Sequence, residues 1–241
     1  MPVYDNSEYI KIMRPIPKGW KVDKYGIPYV KKSEIDISNL NNGKWLVSLS
    51  NASIDDKNSK KKIIQSFRYD NELYRFYNKP FRYLEIASKY YAVSTLDFSM
   101  HPGMSEAQII NATFENRWSG VWLQQNGVDK IAVTVGWVYE DTFDICFSGI
   151  EDGILLIIST LGVCNEFSEN DFLKGYRELR NRFKKSPIIC VGNKIDGMHD
   201  DVCFIEYKDT FGNWDKYRNY WQPAFLNWDL TEVDLCHLED H

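Results

Sequence analysis

From Lys44 onward the chain alternates short apolar runs with amphipathic stretches. Trp45 to Leu49 and Lys62 to Phe67 read as strands, as does Tyr91 to Phe98, which is rich in β-branched and aromatic residues. Ile131 to Trp137 and Ile154 to Ser159 are almost wholly apolar, as in strands covered on both faces. Pro187 to Val191 and Val202 to Tyr207 complete seven candidate strands. Helical periodicity predicts Asn71 to Tyr77, a break at Pro80, and a second helix from Phe81 to Lys89. Ser105 is an N-cap for a long helix in which Ala107, Ile110, Phe114, Trp118 and Val121 recur at steps of three and four, until Gly127 ends it. Ser168 or Asn170 caps a last helix, Asp171 to Lys185, striped by Phe172, Tyr176, Leu179 and Phe183.

Strand alternating with helix, with strands buried on both faces, is the signature of an α/β protein with a mostly parallel sheet. An irregular or incomplete TIM-like barrel is expected, because small polar residues gather at the carboxyl ends of the strands. An open doubly wound sheet is the alternative. In both architectures ligands bind at that end. Residues 1–43, with Pro15, Pro17 and Pro28, read as an extended N-terminal arm; residues 44–213 as the barrel-like domain; and residues 214–241 as an aromatic, acidic segment packed on it.

The chain has 241 residues, 44% of them apolar and 26% charged, ample for a buried core. No apolar run approaches the ~18 residues of a membrane span, and no signal-like segment opens the chain. A cytoplasmic setting without membrane contact is therefore expected. The five cysteines never form CxxC, and Cys146, Cys190 and Cys203 sit in apolar runs, which argues against a disulfide framework or zinc site. Net charge is −5, but it is unevenly spread: 17 basic and 10 acidic residues up to Lys89, then 12 and 24. The basic part peaks at Lys57, Lys60, Lys61 and Lys62, which reads as a solvated loop more readily than as a phosphate contact.

Asn193-Lys194-Ile195-Asp196 is the NKxD string by which GTPases read guanine, but the phosphate loop that must accompany it is missing. No GxSxG elbow or HExxH motif occurs. His101 stands at a strand end and is a candidate base. The carboxylates are the better chemical candidates. Asp70, Asp97 and Asp144 fall at or near predicted strand ends, where they are metal or acid–base candidates for Mg or Mn and phosphoryl chemistry. Arg117, in an otherwise apolar helix, needs a carboxylate or a ligand anion; pairing with Asp97 is the structural alternative to holding a phosphate. Ser99, Trp122, Gln124, Asn126, Trp137, Ser159, Thr160, Gly192 and Asn193 complete the expected ligand-binding set, with Trp137 as a stacking surface.

The runs Asp97-Phe98-Ser99, Asn116-Arg117-Trp118 and Trp122 to Gly127 resemble a family of phage, bacterial and archaeal proteins known as domain of unknown function 4417. So do Thr134 to Trp137, Ser148-Gly149-Ile150, Ser159 to Gly162, Phe172 to Tyr176 and the strand ending at Gly192. Asp70, ten residues before Pro80, is similar to an acidic position in that family. The resemblance covers roughly Ile63 to Asn193. His101 stands where the family usually has an aromatic residue, and Val133 where it often has proline. The resemblance implies a phage or mobile-element setting and no particular activity. Two functions are expected in outline. One is binding of a nucleotide or nucleic-acid phosphate, with metal-dependent phosphoryl transfer or hydrolysis. The other is a non-catalytic accessory role, sequestering a nucleotide signal or binding a host protein.

Overall fold

The computed structural model describes residues 6–37, 45–163 and 166–210. Its seven strands, β1 (Leu46–Ser48), β2 (Ile63–Gln65), β3 (Ala92–Ser94), β4 (Ile131–Thr134), β5 (Leu156–Ser159), β6 (Ile188–Val191) and β7 (Cys203–Ile205), fall within the seven predicted runs. They form one sheet in the order β1-β2-β3-β4-β5-β6-β7, every neighbouring pair parallel. A doubly wound sheet reverses its strand order at a switch point. This sheet never does, and it curls into an open, incomplete half barrel.

Strand alternation separates two apolar layers. Inside the curl lie Leu46, Ile63, Ala92, Ala132, Leu155, Ile157, Ile189, Val191 and Ile205, closed by Ile35 and Trp45. Outside, Val47, Ile64, Val93, Val133, Ile158 and Cys190 meet the helices. The small side chains of Ala92 and Ala132 let the middle strands curve inward without overfilling the concave face. The 3₁₀ turn Tyr207–Thr210, after β7, reaches back across the open side. There the Tyr207 hydroxyl donates to Phe67 O (3.2 Å), and Gln65 Nε2 donates to Thr210 Oγ1 (3.0 Å).

The helices are α1 (Asn6–Met13), α2 (Asp70–Tyr77), α3 (Pro80–Ala87), α4 (Glu106–Gln125), α5 (Phe143–Cys146) and α6 (Glu166–Arg182). Helix α1 and the arm after it pack on the domain instead of extending from it. Ile27 and Val30 are wholly buried. Arg14 lies 3.7 Å over the Tyr77 ring and donates to Tyr77 O and Asn78 Oδ1 (2.9 Å each). Helix α6 begins earlier than its stripe suggests, so Ser168 and Asn170 lie inside its first turns and do not cap it. Acidic residues such as Glu169 suit the positive end of a helix. Residues 211–241, including the aromatic, acidic segment, lie outside the described residues.

Helix α4 is the central helix of the outer layer. Ser105 and Gln108 form a capping box, with Ser105 N donating to Gln108 Oε1 at 2.8 Å. At the other end Val128 N reaches Leu123 O and Gly127 N reaches Gln124 O, a Schellman closure that the left-handed φ of +88° at Gly127 permits. The face turned to the sheet is not the predicted apolar stripe. It is Ile109, Ala112, Thr113, Asn116, Gly120 and Leu123, all buried, while Ala107 is exposed. Trp118 is buried from the other side, donating from Nε1 to Pro15 O (3.2 Å). A helix covered on both sides loses the one-faced periodicity that sequence patterns rely on.

Gly120 sets how closely α4 approaches the sheet. A Cβ there would lie 2.8 Å from Thr95 Cγ2 and 3.1 Å from Ile131 Cγ2. Ordinarily a helix-interior Gly→Ala change gains about 1 kcal/mol. Here Gly120→Ala is expected to destabilise by about 1–2 kcal/mol through overpacking. Urea unfolding at neutral pH measures it, and a gain in stability would refute the tight approach.

Candidate functional site

Beyond the inner apolar layer the strands turn polar together. Ser48, Gln65, Ser94 and Thr134, at the carboxyl ends of β1 to β4, have no solvent exposure. Ser94 Oγ donates to Ser66 Oγ (3.0 Å), Thr95 Oγ1 and Thr134 Oγ1 are bonded at 2.9 Å, and Asn116 Nδ2 donates to Thr134 Oγ1 at 2.7 Å. Among the described residues every buried side-chain nitrogen or oxygen has a partner. This network was not anticipated from sequence. Its signal is the polar pair that ends each apolar run, Gln65-Ser66 and Ser94-Thr95.

Arg117 completes the network. It is 2% exposed, and its Nε donates to Ser148 O (2.8 Å), Nη1 to Asn116 Oδ1 (2.5 Å) and Thr134 O (3.1 Å), and Nη2 to Cys146 O (2.7 Å). Burial lowers its pKa to about 10, opposed by Cys146 and Asp97. The guanidinium binds carbonyls instead of an anion, and its relation to Asp97 is electrostatic, not a direct ion pair.

Two predicted carboxylates converge above this layer. Asp70 opens α2, just after β2, and Asp97 follows β3, the neighbouring strand. Asp70 Oδ1 accepts both Ser99 N and Ser99 Oγ at 3.0 Å. Asp97 keeps some solvent-accessible surface yet is ringed by protein. Burial, then the repulsion of Asp70, pushes its carboxyl up to about 7 against the pull of Arg117. Glu115 on α4, also missed from sequence, accepts the Tyr74 hydroxyl at 2.9 Å. Burial raises its pKa as well, with a contribution from Asp70. Among the described residues no three His, Cys, Asp or Glu side chains form a group able to hold a metal ion by themselves.

The other expected residues lie elsewhere. Asp144 is exposed on α5 and pairs with Arg182 Nη1 at 2.8 Å. Trp137 is packed 5.0 Å from Phe172 and 5.9 Å from Phe147, over Gly175, where any Cβ would strike its Nε1. Trp122, Gln124 and Asn126 sit at the opposite end of the barrel. A helix joining parallel strands must run against them, so the last turn of α4 arrives at the amino-terminal edge of the sheet. There Trp122 Nε1 donates to Pro80 O, Gln124 pairs with the Lys31 backbone, and Asn126 Nδ2 donates to Trp122 O.

Ser159 and Thr160 hold the β5 and β6 ends through Val191 O (3.0 Å) and Asn193 O (2.9 Å). Gly192, at φ +120°, leaves room for the Thr160 hydroxyl 2.3 Å from where a Cβ would stand. The Asn193 side chain faces solvent, and Lys194 of the NKxD string pairs with Asp200 at 2.5 Å. His101 is exposed. Cys146 and Cys190 are buried free thiols. In the lysine-rich loop, Lys62 pairs with Asp56 (2.6 Å) and Lys60 donates to Ser88 O. No helix among the described residues is long and apolar enough to cross a membrane.

The chain is 31% identical over 152 residues to "Gene 1 protein" of Mycobacterium phage L5, covering 61% of this chain and 65% of that protein. It is 30% identical over 160 residues to "Gene 1 protein" of Mycobacterium phage D29, covering 65% and 58%. It thus spans less than two thirds of the length of either relative. No solved structure matches it. The family model described as domain of unknown function (DUF4417) matches residues 21–208, a span that holds every strand of the half barrel and both converging carboxylates, and the chain belongs to that family.

Proposed function

We propose that the cleft at the carboxyl ends of β2 and β3 binds a nucleotide or nucleic-acid phosphate and acts on it by proton transfer, as a phosphoester hydrolase or transferase. The observation that supports this is the convergence of Asp70 and Asp97 from adjacent central strands, with Asp70 fixed by Ser99. A carboxyl group near neutrality can take the proton of an attacking water or hydroxyl and later return it to the leaving oxygen. Asp97 has that role, Asp70 orients and tunes it, and Arg117 supplies fixed positive charge behind it. Mg or Mn fits the donor set, since such ions are held by one or two carboxylates together with substrate phosphates. Asp70 would hold it together with the substrate phosphate, and it would neutralise the charge that brings phosphate and carboxylates into conflict. The relatives' phage origin supports a phage or mobile-element setting.

A second reading, a non-catalytic accessory protein that sequesters a nucleotide or binds a host protein, is supported by the completeness of the buried network, which needs no ligand to satisfy it.

Asp97→Asn is expected to reduce phosphoester turnover at least ~100-fold while the protein stays folded; Asp144→Asn, on the outer surface, is expected to leave it unchanged. Nucleotide binding that survives with no turnover in wild type would establish the second reading. The pH dependence is also defined. With its folded pKa raised from 3.8 to about 7, Asp97 binds more protons folded than unfolded between those values. Stability therefore falls as pH rises from about 4 to 7, by up to about 1.4 kcal/mol per pH unit. Urea unfolding across that range should show the slope in wild type and lose it in Asp97→Asn.

A further inference from the structure

Along the outer side of α4, residues 18–32 form a ribbon of unusual composition. Five lysines, Lys18, Lys21, Lys24, Lys31 and Lys32, alternate with Trp20, Tyr25 and Tyr29. The ribbon is an antiparallel turn: Tyr29 N donates to Lys21 O, Asp23 N to Ile27 O, and Val22 bridges Pro28. It is anchored firmly. Ile27 and Val30 are fully buried, Val30 N donates to Gly149 O, and Gln124 clasps both backbone groups of Lys31. The one acid of the ribbon, Asp23, is turned to structural use, accepting Tyr25 N (2.9 Å), Ile27 N (2.7 Å) and Ser148 Oγ (2.5 Å).

The lysines are all exposed, and among the described residues none forms an ion pair. Three lie over aromatic rings instead: Lys21 is 3.8 Å from the Tyr29 centroid, Lys31 3.9 Å from that of Trp20, and Lys24 4.8 Å from that of Tyr25. Two nearby carboxylates are already engaged. Asp144, which acts on Lys24, is held by Arg182, and Glu151 accepts Lys32 N. Among the described residues four other lysines do pair with acids, Lys62 with Asp56, Lys174 with Glu140, Lys194 with Asp200 and Lys208 with Glu206.

We propose that this ribbon is a binding surface for single-stranded nucleic acid. Uncompensated ammonium groups beside partly exposed rings are the two components such a surface needs, cations for the phosphates and flat faces for unpaired bases. A base takes the place over a ring that an ammonium now holds, and the displaced ammonium meets the adjoining phosphate. Double-stranded ligands use only the cations, so the rings favour the single strand. The surface shares no residue with the Asp70–Asp97 cleft, and its test is independent of activity.

The test is fluorescence anisotropy with a labelled oligo-dT of about 20 nucleotides. Binding is expected at about 50 mM salt, with log affinity falling against log salt at a slope of about −2 to −3, as for three or four phosphates. The triple variant Lys21→Glu/Lys24→Glu/Lys31→Glu should weaken binding more than tenfold at an unchanged melting temperature. Tyr25→Leu, which keeps every lysine, should weaken oligo-dT about fivefold or more while leaving heparin binding unaltered. No binding at low salt would overturn the proposal, as would binding indifferent to the triple variant. Equal loss or retention of heparin, anionic vesicles and oligo-dT in Tyr25→Leu would overturn it in favour of a general polyanion or membrane contact.

Discussion

A guanidinium almost without solvent exposure has to be satisfied from within, and at Arg117 four acceptors from α4, β4 and the exit of α5 do so. Burying a charge is costly unless hydrogen bonds and an opposing charge compensate it. The carbonyls of Thr134, Cys146 and Ser148 provide the first, and Asp97 contributes the second through its field. Meeting those demands holds the end of β4, the turn after α5 and helix α4 in one relative position. Gly149, at φ +72°, sits where a Cβ would lie 2.9 Å from Arg117 Cγ and 2.6 Å from Pro28 O, so the arm closes over the same point.

The half barrel follows from how little its inner face contains. Alanines at the middle strands and a polar rim above them leave a concave surface too small to need an eighth strand, and the Tyr207–Thr210 turn covers the gap through side-chain hydrogen bonds. An incomplete barrel of this kind keeps the property that matters for binding. All strands still point the same way, so the loops after β2 and β3 emerge side by side and bring their carboxylates together. The mutual repulsion of Asp70 and Asp97, added to burial, turns an ordinary acidic side chain into one that titrates near neutrality.

The overall charge of −5 thus averages two unlike surfaces. The cleft gathers carboxylates with their charge partly suppressed by burial, whereas the ribbon along α4 carries exposed lysines that form no ion pair. Helix α4 links them, since Asn116 and Arg117 shape the cleft floor and Gln124, two turns later, clasps the ribbon.

Much of the framework is local information. Seven apolar runs became seven strands because each is short and apolar and all but β7 are almost wholly buried, and Ser105 and Gly127 bracket α4 through interactions that span only a few residues. Asp70, Asp97 and Ser99 could be picked out because they follow strand ends, where any parallel sheet exposes its loops. Helix α1 was hidden, since docking by Arg14 on Tyr77 rather than its own periodicity holds it in place. Only the tertiary structure decided which polar residues share a site. Trp122, Gln124 and Asn126 resemble site residues in sequence, but the return direction of α4 carries them to the far edge. The pairing of Ile63 with Ala92 sets Asp70 beside Asp97 across 26 intervening positions, a distance over which no local pattern carries information, because register is chosen by burial of whole strand faces.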